Sequence, residues 1–277
     1  MSEQGPEAAP LSRDPFDVPD RAFNTLEGWT WIGCYGGYYL SSDLLHDQGF
    51  EHGFFTRRWQ GREPDELVTY LSAGTTVHRP KQIHSAVVLN ASDADRAPWP
   101  EADGLVSDRG SQSLWVCGAD CTPVLIADPS TGHAAACHAG WRGVAGGILR
   151  EAIARLEQQG AQRHQLLVAL GPAVSGSRYQ VQDEVAEQVL ASLTQPGSPP
   201  LDPERLTGVV LDDPKPGHGR LDIRAAATVQ LHEAGIPLPQ ISRCPLCTVE
   251  EPDLFHSWRR DQVKAVQWSG IVSQAAI

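Results

Sequence analysis

LWVCGADCTPVLIADPSTGHAAACHAGWRGVAGGIL, residues 114–149, is the stretch of this sequence that best predicts a fold and a site. Its apolar runs LWVC and VLIAD are rich in residues that favour β-strands, and polar turn residues separate them from a third run, HAAAC. A glycine-rich turn then leads into a helical pattern. Asp120 and Cys121 follow the first predicted strand, and His138 follows the third. A cysteine and a histidine at neighbouring strand ends indicate a functional site.

The composition is that of an ordinary globular enzyme. The chain has 277 residues, of which 41% are hydrophobic and 20% charged, and it is long enough for one large domain. Residues 26–277 are predicted to form a single α/β domain, because no repeat or clear linker interrupts them. Residues 1–25 offer little apolar surface to offset chain entropy, so we expect a disordered tail there.

Charge and hydropathy argue against several classes of partner. A net charge of −12 argues against a nucleic-acid-binding surface. No apolar run approaches the roughly 20 residues that a membrane span needs. The first residues lack the basic region and apolar core of a secretory signal, and the six cysteines do not resemble a disulfide scaffold. We therefore expect a reduced, cytoplasmic protein with no nucleic-acid or membrane partner.

Strands are also predicted before and after residues 114–149. The aromatic, glycine-punctuated residues 30–40 predict a hairpin or bent edge strand, and residues 53–57, GFFTR, predict a short strand that ends on an arginine. His84 comes directly before the apolar run AVVL and is expected at or near the start of a strand. The polar loop at 92–108 returns to a strand at GLVS, and a last strand closes the chain.

Three helices are predicted after the central stretch. The first covers residues 143–160, where apolar residues recur every four positions. The second opens near the acidic Asp183, as the helix dipole favours. The third is capped by Asp222 and ends at Gly235. Residues 194–219 are rich in Pro, Gly and Asp and are expected to be irregular.

His84, Cys121 and His138 form a candidate metal site. Catalytic zinc needs about three N, S or O ligands and one open position, and these side chains would supply N, S and N. Their spacings of 37 and 17 residues are too wide for a zinc finger but suit ligands drawn from different strands. The alternative is that the cysteine is buried as a small hydrophobe and each histidine is merely hydrogen-bonded. Spacing alone leaves both interpretations open.

The sequence resembles the laccase-domain, or multicopper-polyphenol-oxidase-like, family. The resemblance runs from about residue 53 to the C-terminus and is carried by GFFTR (53–57), KQIH (81–84), EADGLVSD (101–108), GADCTPVLIAD (118–128), HAGWRG (138–143), LGPAVSGSRYQV (170–181), LDIRAAATVQL (221–231), CT (247–248) and HSWRRD (256–261). The combination of ADCTPVL with HAGWRG is the most specific part. Residues 58–80 lack the glycine-rich turn that usually follows F-x-T-R in the family.

The resemblance implies a fold, a cofactor and an activity. The expected fold is α/β (α+β), a single-domain layered α/β/β/α sandwich with mixed sheets. The expected cofactor is a catalytic zinc ion bound by His84, Cys121 and His138. The family is associated with phosphorolysis of purine nucleosides and deamination of adenosine, so the expected partners are a purine nucleoside and phosphate.

Multicopper oxidation does not suit this sequence. Such an oxidase holds a mononuclear and a trinuclear centre with roughly ten histidine ligands, largely from His-x-His motifs, and its blue-copper site wants an axial methionine. The chain has ten histidines in total, no His-x-His motif, and a single methionine at position 1. The copper in the family's name is therefore not expected here.

Three further residues are candidates for catalysis. Arg57 and, second, Arg142 are cations that could hold an anionic phosphate against the anomeric carbon of a sugar. A surface ion pair for Arg57 and a packing or capping role for Arg142 are the alternatives. Asp120 could orient a histidine ligand or act as a general base, or it could simply bond to backbone at a strand end.

Several other reactive side chains are expected outside the catalytic set. Cys137 should point away from His138 if the strand alternates, and so is predicted to be core. Cys244 and Cys247 lack the second ligand pair of a zinc knuckle. The family resemblance implies that CT at 247–248 lies near the site. The pair Arg259–Arg260 could bind the acidic surface or aid substrate approach, and the sequence does not rank these roles.

Three functions stay open at this point. The first is a zinc-dependent purine nucleoside phosphorylase, with adenosine deamination as an additional activity. The second is a cysteine hydrolase in which Cys121 is the nucleophile and His138 the base. The third is a cell-wall role, since some family members carry a peptidoglycan-editing label. Metal content separates the first two, because a nucleophilic cysteine must not be tied permanently to zinc.

Overall fold

A computed structural model describes residues 25–34, 37–194 and 199–274. The tail predicted for residues 1–25 lies, except for its last residue, outside the described residues. The described part forms fifteen strands: β1 (Trp29–Cys34), β2 (Gly37–Ser42), β3 (His52–Phe55), β4 (Thr76–His78), β5 (Val88–Asn90), β6 (Gly104–Val106), β7 (Gln112–Gly118), β8 (Thr122–Ala127), β9 (Ala134–Ala139), β10 (Leu167–Leu170), β11 (Gln180–Gln182), β12 (Val210–Asp212), β13 (His218–Leu221), β14 (Ile241–Arg243) and β15 (Gln267–Val272). Its α-helices are α1 (Asp43–His46), α2 (Pro64–Leu67), α3 (Trp141–Ala145), α4 (Ile148–Gln158), α5 (Asp183–Leu193), α6 (Ile223–Glu233) and α7 (Trp258–Asp261).

Two six-stranded mixed sheets pack face to face. Their strand orders are β1-β2-β3-β15-β7-β4 and β14-β10-β8-β9-β6-β5. Alternation along each strand divides its side chains between two cores. In β8, Leu125 lies in the core between the sheets, whereas Val124 and Ile126 lie in the core beneath the helices. This strand is buried on both faces, which explains its continuous apolar run.

Helices cover the outer face of each sheet. Residues of α3, α4, α5 and α6 share a core with the second sheet. On the outer face of the first sheet, Trp115 packs with Trp59 and with Leu67 of α2. The layers therefore run helix, sheet, sheet, helix, and the expected single-domain α/β sandwich with mixed sheets is confirmed.

Residues 114–149 connect the two sheets. β7 belongs to the first sheet, while β8 and β9 pair antiparallel in the second. The chain from Gly118 to Cys121 therefore crosses from one sheet to the other. The three predicted strands are confirmed, with one correction: His138 lies inside β9, opposite Pro123 of β8, and not after the strand.

Two further predictions need correction. The helix predicted for 143–160 is two helices, because Gly147 adopts a left-handed φ of 83° and breaks the helix between α3 and α4. The region 194–219, predicted to be irregular, holds β12 and the first half of β13, which form a small sheet with β11. The strands are three and four residues long, so their pattern is too short to stand out against the surrounding prolines and glycines.

The predictions for the first hairpin and for the second and third helices are confirmed. β1 and β2 form an antiparallel hairpin at the edge of the first sheet. α5 begins at Asp183, and the Asp222 side chain accepts a hydrogen bond from the Ala225 N–H at the start of α6. Gly235, with a φ of 99°, follows the end of α6. Among the described residues, none of the helices combines the length and apolarity that a membrane crossing requires.

Candidate metal centre

His84, Cys121 and His138 converge at one edge of the two sheets. Their ligand atoms all lie within 4.8 Å of one another, and the imidazole centroids are 4.9 Å apart with planes at 81°. His138 is buried, Cys121 is half-buried and His84 is exposed. The cluster is therefore closed on the protein side and open to solvent on the side of His84.

Two tight turns bring the ligands together. His84 has a φ of 60°, and Asp120, the residue before Cys121, has a φ of 93°. Such left-handed conformations are strained for residues other than glycine and occur often at functional sites. The Gln82 side chain fixes the first turn, because its amide pairs with both the N–H and the carbonyl of Cys117, each at 2.7 Å. The turn at His84 is thus attached to the end of β7.

The absence of a side chain at Gly140 leaves room for the cluster. A Cβ atom there would lie 2.9 Å from the Cys121 sulfur and 3.7 Å from the His84 ring. Contacts below 3.0 Å essentially never occur for real Cβ atoms. A side chain at Gly140, the first glycine of HAGWRG, would therefore displace the sulfur of Cys121, one of the candidate ligands.

Asp103 organises both histidines and was not recognised from the sequence. Its side chain is fully buried, and its Oδ1 accepts from His138 Nδ1 at 2.9 Å and from the backbone N–H of His84 at 3.0 Å. Its Oδ2 accepts from the Ser85 N–H and hydroxyl at 2.6 and 2.8 Å and from the Ile83 N–H at 3.2 Å. This bond directs the Nδ1–H of His138 to Asp103, so Nε2 is the nitrogen that would bind a metal ion.

The electrostatics favour a thiolate at Cys121. Burial alone raises the pKa of this thiol, but charge interaction and hydrogen bonding with His138, and a smaller contribution from His84, lower its pKa overall. Burial alone lowers the pKa of His138, but Cys121 and Asp103 raise it. For Asp103, burial is outweighed by hydrogen bonds from His138 and Ser85, which lower the pKa to about 2. The resulting N, S, N donor set with one open side fits a catalytic zinc ion.

The Asp120 carboxylate binds two other segments of the same polypeptide and does not contact a histidine ligand. Its Oδ1 accepts from the Thr248 hydroxyl and its Oδ2 from the backbone N–H of Arg259, both at 2.6 Å. The carboxylate that orients a histidine ligand is Asp103. The physical reason is the left-handed turn at Asp120, after which its carboxylate reaches the segments around 248 and 259.

The two candidate arginines lie on different elements of the fold. Arg142 is exposed on α3, four residues after His138, and its guanidinium stacks on the Trp141 ring at 4.3 Å. The strand predicted to end on Arg57 ends at Phe55, so Arg57 begins a short 3₁₀ turn. Its Nη1 donates to the Pro252 carbonyl at 2.5 Å.

The other predicted cysteines lie as expected. Cys137 is fully buried in the core beneath the helices, on the opposite face of β9 from His138. The Cys247 sulfur accepts from the Ser175 N–H at 3.2 Å, and Thr248 contacts Asp120, so the CT pair is near the site. All six cysteines, Cys244 included, are unpaired.

A narrow pocket adjoins Cys121. It is lined by Phe54, Phe55, Gly118, Cys121, Pro123, Pro172, Phe255, Gln267 and Ser269, and its free space is about that of one water molecule. Pockets that bury a drug-sized ligand usually exceed roughly 300 Å³. A larger substrate would therefore have to lie over the open side of the cluster, where His84 and Arg142 are exposed.

The fold and the cluster agree with the relatives of this chain. The family model described as multi-copper polyphenol oxidoreductase laccase matches residues 63–273. Since this match covers most of the chain, the chain belongs to that family. Among the described residues, however, one group of three His, Cys, Asp or Glu side chains converges, far fewer than the roughly ten histidine ligands of copper centres that oxidise polyphenols.

Two relatives by sequence carry the same name. A protein named purine nucleoside phosphorylase from Synechocystis sp. is 39% identical over 258 residues, which cover 88% of this chain and 97% of that protein. Purine nucleoside phosphorylase YlmD from Geobacillus stearothermophilus is 34% identical over 191 residues, 66% of each chain.

Two solved structures share the fold. The crystal structure of YlmD from Geobacillus stearothermophilus aligns with a TM-score of 0.74 and 25% identity, covering 88% of this chain and 98% of YlmD. The hypothetical protein YfiH from Bacillus licheniformis aligns with a TM-score of 0.74 and 26% identity, covering 88% of this chain and 99% of YfiH.

Proposed function

We propose that this protein is a zinc-dependent purine nucleoside phosphorylase that acts on nucleosides such as adenosine and inosine. The observation that carries the proposal is the cluster of His84, Cys121 and His138, whose ligand atoms lie within 4.8 Å of one another. The name shared by its relatives supports the same class of reaction. A reduced, cytoplasmic location is part of the proposal, because Cys121 must remain a free thiolate to bind metal.

The three side chains would hold the zinc ion with one position open. When bound, zinc supplies a Lewis acid that can orient an anionic oxygen or lower the pKa of a water molecule. The contribution of the chain itself comes from Asp103, which keeps the proton of His138 on Nδ1 and fixes the turn at His84. Carboxylates in this position set the orientation and basicity of a histidine ligand.

Phosphorolysis also needs cationic groups that hold phosphate. A phosphate oxygen forms a bond to C1′ of the ribose while the C1′–N9 bond breaks, its electron pair moving onto the purine, which takes up a proton. The products are ribose 1-phosphate and the free base. We assign Arg142 and Arg57 to the binding of the anionic nucleophile. We assign Asp120 a positioning role, because both of its oxygens already accept strong hydrogen bonds.

A product assay tests this proposal. Zinc-loaded protein is incubated with adenosine, with and without phosphate, and the products are separated by chromatography. The matched variants are Cys121→Ala, which removes a proposed ligand, and Cys117→Ala, which changes a cysteine of β7 outside the cluster. We expect adenine release that requires phosphate, is lost in Cys121→Ala and persists in Cys117→Ala. A zinc-loaded wild type that releases no adenine in the presence of phosphate overturns the proposal.

The same assay examines adenosine deamination. We extend the proposal to this activity, because a water molecule activated by zinc is the nucleophile in known deaminases of nucleobases. Its product would be inosine, formed without phosphate and lost in the Cys121→Ala variant. Absence of inosine in the zinc-loaded wild type removes deamination and leaves the phosphorylase proposal intact.

One observation favours a second candidate, a cysteine hydrolase. Cys121, His138 and Asp103 are linked by consecutive hydrogen bonds, which is the order of nucleophile, base and orienting acid in thiol hydrolases. Metal dependence separates the candidates. Hydrolysis by a thiolate would be inhibited by bound zinc and enhanced by a chelator, whereas the proposed phosphorolysis would be lost in a chelator.

A further inference from the structure

Arg259 is held beside the metal cluster by its backbone. Its N–H donates to Oδ2 of Asp120 at 2.6 Å, and Asp120 directly precedes Cys121. The Thr248 hydroxyl binds the other oxygen of Asp120. One short, charge-assisted bond therefore ties the backbone of Arg259 to the residue before Cys121.

The guanidinium of Arg259 is oriented but largely available. It lies over the Tyr179 ring at 4.9 Å, and its Nη1 donates to the Gln180 carbonyl at 3.0 Å. This is the one hydrogen bond to its guanidinium from the described residues, and no carboxylate there pairs with it. A guanidinium has five N–H donors, so most of them remain for a ligand.

Within the described part of the chain, the guanidinium groups of two neighbouring arginines, unlike that of Arg259, are paired with carboxylates. Arg260 donates to the carbonyls of Thr248, Val249 and Phe255 and pairs with Asp261. Arg178, just before Tyr179, pairs with Glu250 at 2.8 Å. Both of these arginines have a carboxylate partner, whereas Arg259 has none among the described residues.

Arg142 lies close in sequence to another candidate ligand, His138. It is exposed on α3, four residues after that histidine, and its guanidinium also stacks on an aromatic ring, that of Trp141. The electrostatics of Tyr179 agree with this placement: its pKa is raised to about 12, first by burial and also by the charges of Cys121 and Asp120. The charges of Arg259 and Arg142 oppose this rise. Both arginines and the cluster therefore act on one side chain.

We propose that Arg259, together with Arg142, forms the subsite that binds inorganic phosphate beside the His84–Cys121–His138 cluster. This inference rests on the proposed function and adds Arg259 to its binding residues. Two planar guanidinium groups offer the paired donors that a phosphate dianion prefers. Because the chain carries a net charge of −12, phosphate is repelled by the molecule as a whole, and local cations are needed to attract it.

Steady-state kinetics with Arg259→Gln tests the inference. Phosphate is varied at saturating nucleoside, and nucleoside is varied at saturating phosphate. We expect the KM for phosphate to rise about 10- to 100-fold, the effect of losing hydrogen bonds to a charged group, while the KM for nucleoside changes less than about twofold. Arg259→Lys should recover part of the loss. The matched control is Arg178→Gln, an exposed arginine next to Tyr179 that is paired with Glu250, and its kinetics should equal those of the wild type.

Direct binding provides a readout that does not depend on turnover. Calorimetric titration of zinc-loaded protein with inorganic phosphate should show weaker binding for Arg259→Gln and, further, for the double variant with Arg142→Gln. Zinc content and melting temperature should match the wild type, because neither arginine is a metal ligand. An unchanged phosphate KM and affinity in an active wild-type background overturns this inference alone. A wild type without phosphate-dependent product overturns the proposed function, whichever residues bind phosphate.

Discussion

Replacing Asp103 by Asn should uncouple the two histidines from each other. The substitution keeps the shape of the side chain but turns one oxygen into an NH₂ group and removes the charge. If the amide oxygen faces His138 and His84, the NH₂ group faces the N–H of Ser85, which now lies 2.6 Å from a carboxylate oxygen. If the amide is reversed, the NH₂ group faces Nδ1 of His138, the proton moves to Nε2, and that nitrogen cannot bind a metal ion.

The expected loss can be scaled from these contacts. Removing a carboxylate that orients a histidine ligand usually weakens metal binding by about 10- to 100-fold, or roughly 1.4–2.7 kcal/mol. We expect a value near 100-fold, since one oxygen of Asp103 serves both His138 and the turn of His84. The buried donors left without a good acceptor should also lower the free energy of unfolding by about 1–3 kcal/mol.

Zinc affinity measured by competition with a chelator checks this prediction, and thermal unfolding of the metal-free proteins gives the stability term separately. The matched control is Asp128→Asn. Asp128 is also fully buried and accepts hydrogen bonds from Ser130 and Thr131, but it follows the far end of β8, roughly 20 Å along the strand from Cys121. It should lose stability and keep its zinc affinity. A folded Asp103→Asn protein with a zinc dissociation constant within threefold of the wild type would refute the reasoning.

Three further predictions follow from single contacts. Gly140→Ala should weaken zinc binding about tenfold or more, because its Cβ would lie 2.9 Å from the Cys121 sulfur; unchanged affinity in the chelator assay would contradict this. Gly147→Ala should lower the free energy of unfolding by about 1 kcal/mol, since φ is 83° there, and a denaturant titration that shows no loss counts against the strain. Burial lowers the pKa of His52 from 6.5 to about 4, so the unfolded state binds more protons between these values and stability falls by about 3 kcal/mol as the pH drops from 6.5 to 4. Denaturant titrations at pH 7 and 4.5 should show a smaller pH-dependent loss in His52→Gln than in the wild type; equal losses would show that His52 is not the group responsible.

Most strands and helices of this fold can be predicted, because the spacing of apolar residues along the sequence depends on the local secondary structure. The alternating or continuous apolar runs of β7, β8 and β9 mark strands buried on one or both faces. The same logic failed at Gly147, where Val144 and Ile148 lie four residues apart and both enter the core beneath the helices. The stripe continues across the break, so the apolar pattern cannot reveal that the backbone between them is left-handed.

The ligands of the candidate site could be chosen from the sequence, but their support could not. His84, Cys121 and His138 stand in motifs that resemble a known family. Asp103 lies in one of the same motifs, EADGLVSD, yet nothing near it in sequence shows that the turn 83–85 folds onto its carboxylate. The signal that could have found it is an aspartate immediately before a buried strand, Gly104–Val106, where a charge must be paired.

Asp103 and Asp120 have different structural roles in the candidate site. Each is a buried carboxylate whose two oxygens accept hydrogen bonds from chain segments far apart in sequence. Asp103 holds the two histidines, and Asp120 holds the segment that carries Arg259. Both are tied to Cys121, the first through His138 and the second through the peptide chain. The candidate metal cluster and the proposed phosphate subsite therefore share one scaffold at the crossing from the first sheet to the second, so that a metal ion at one would lie beside a phosphate ion at the other before the nucleoside binds.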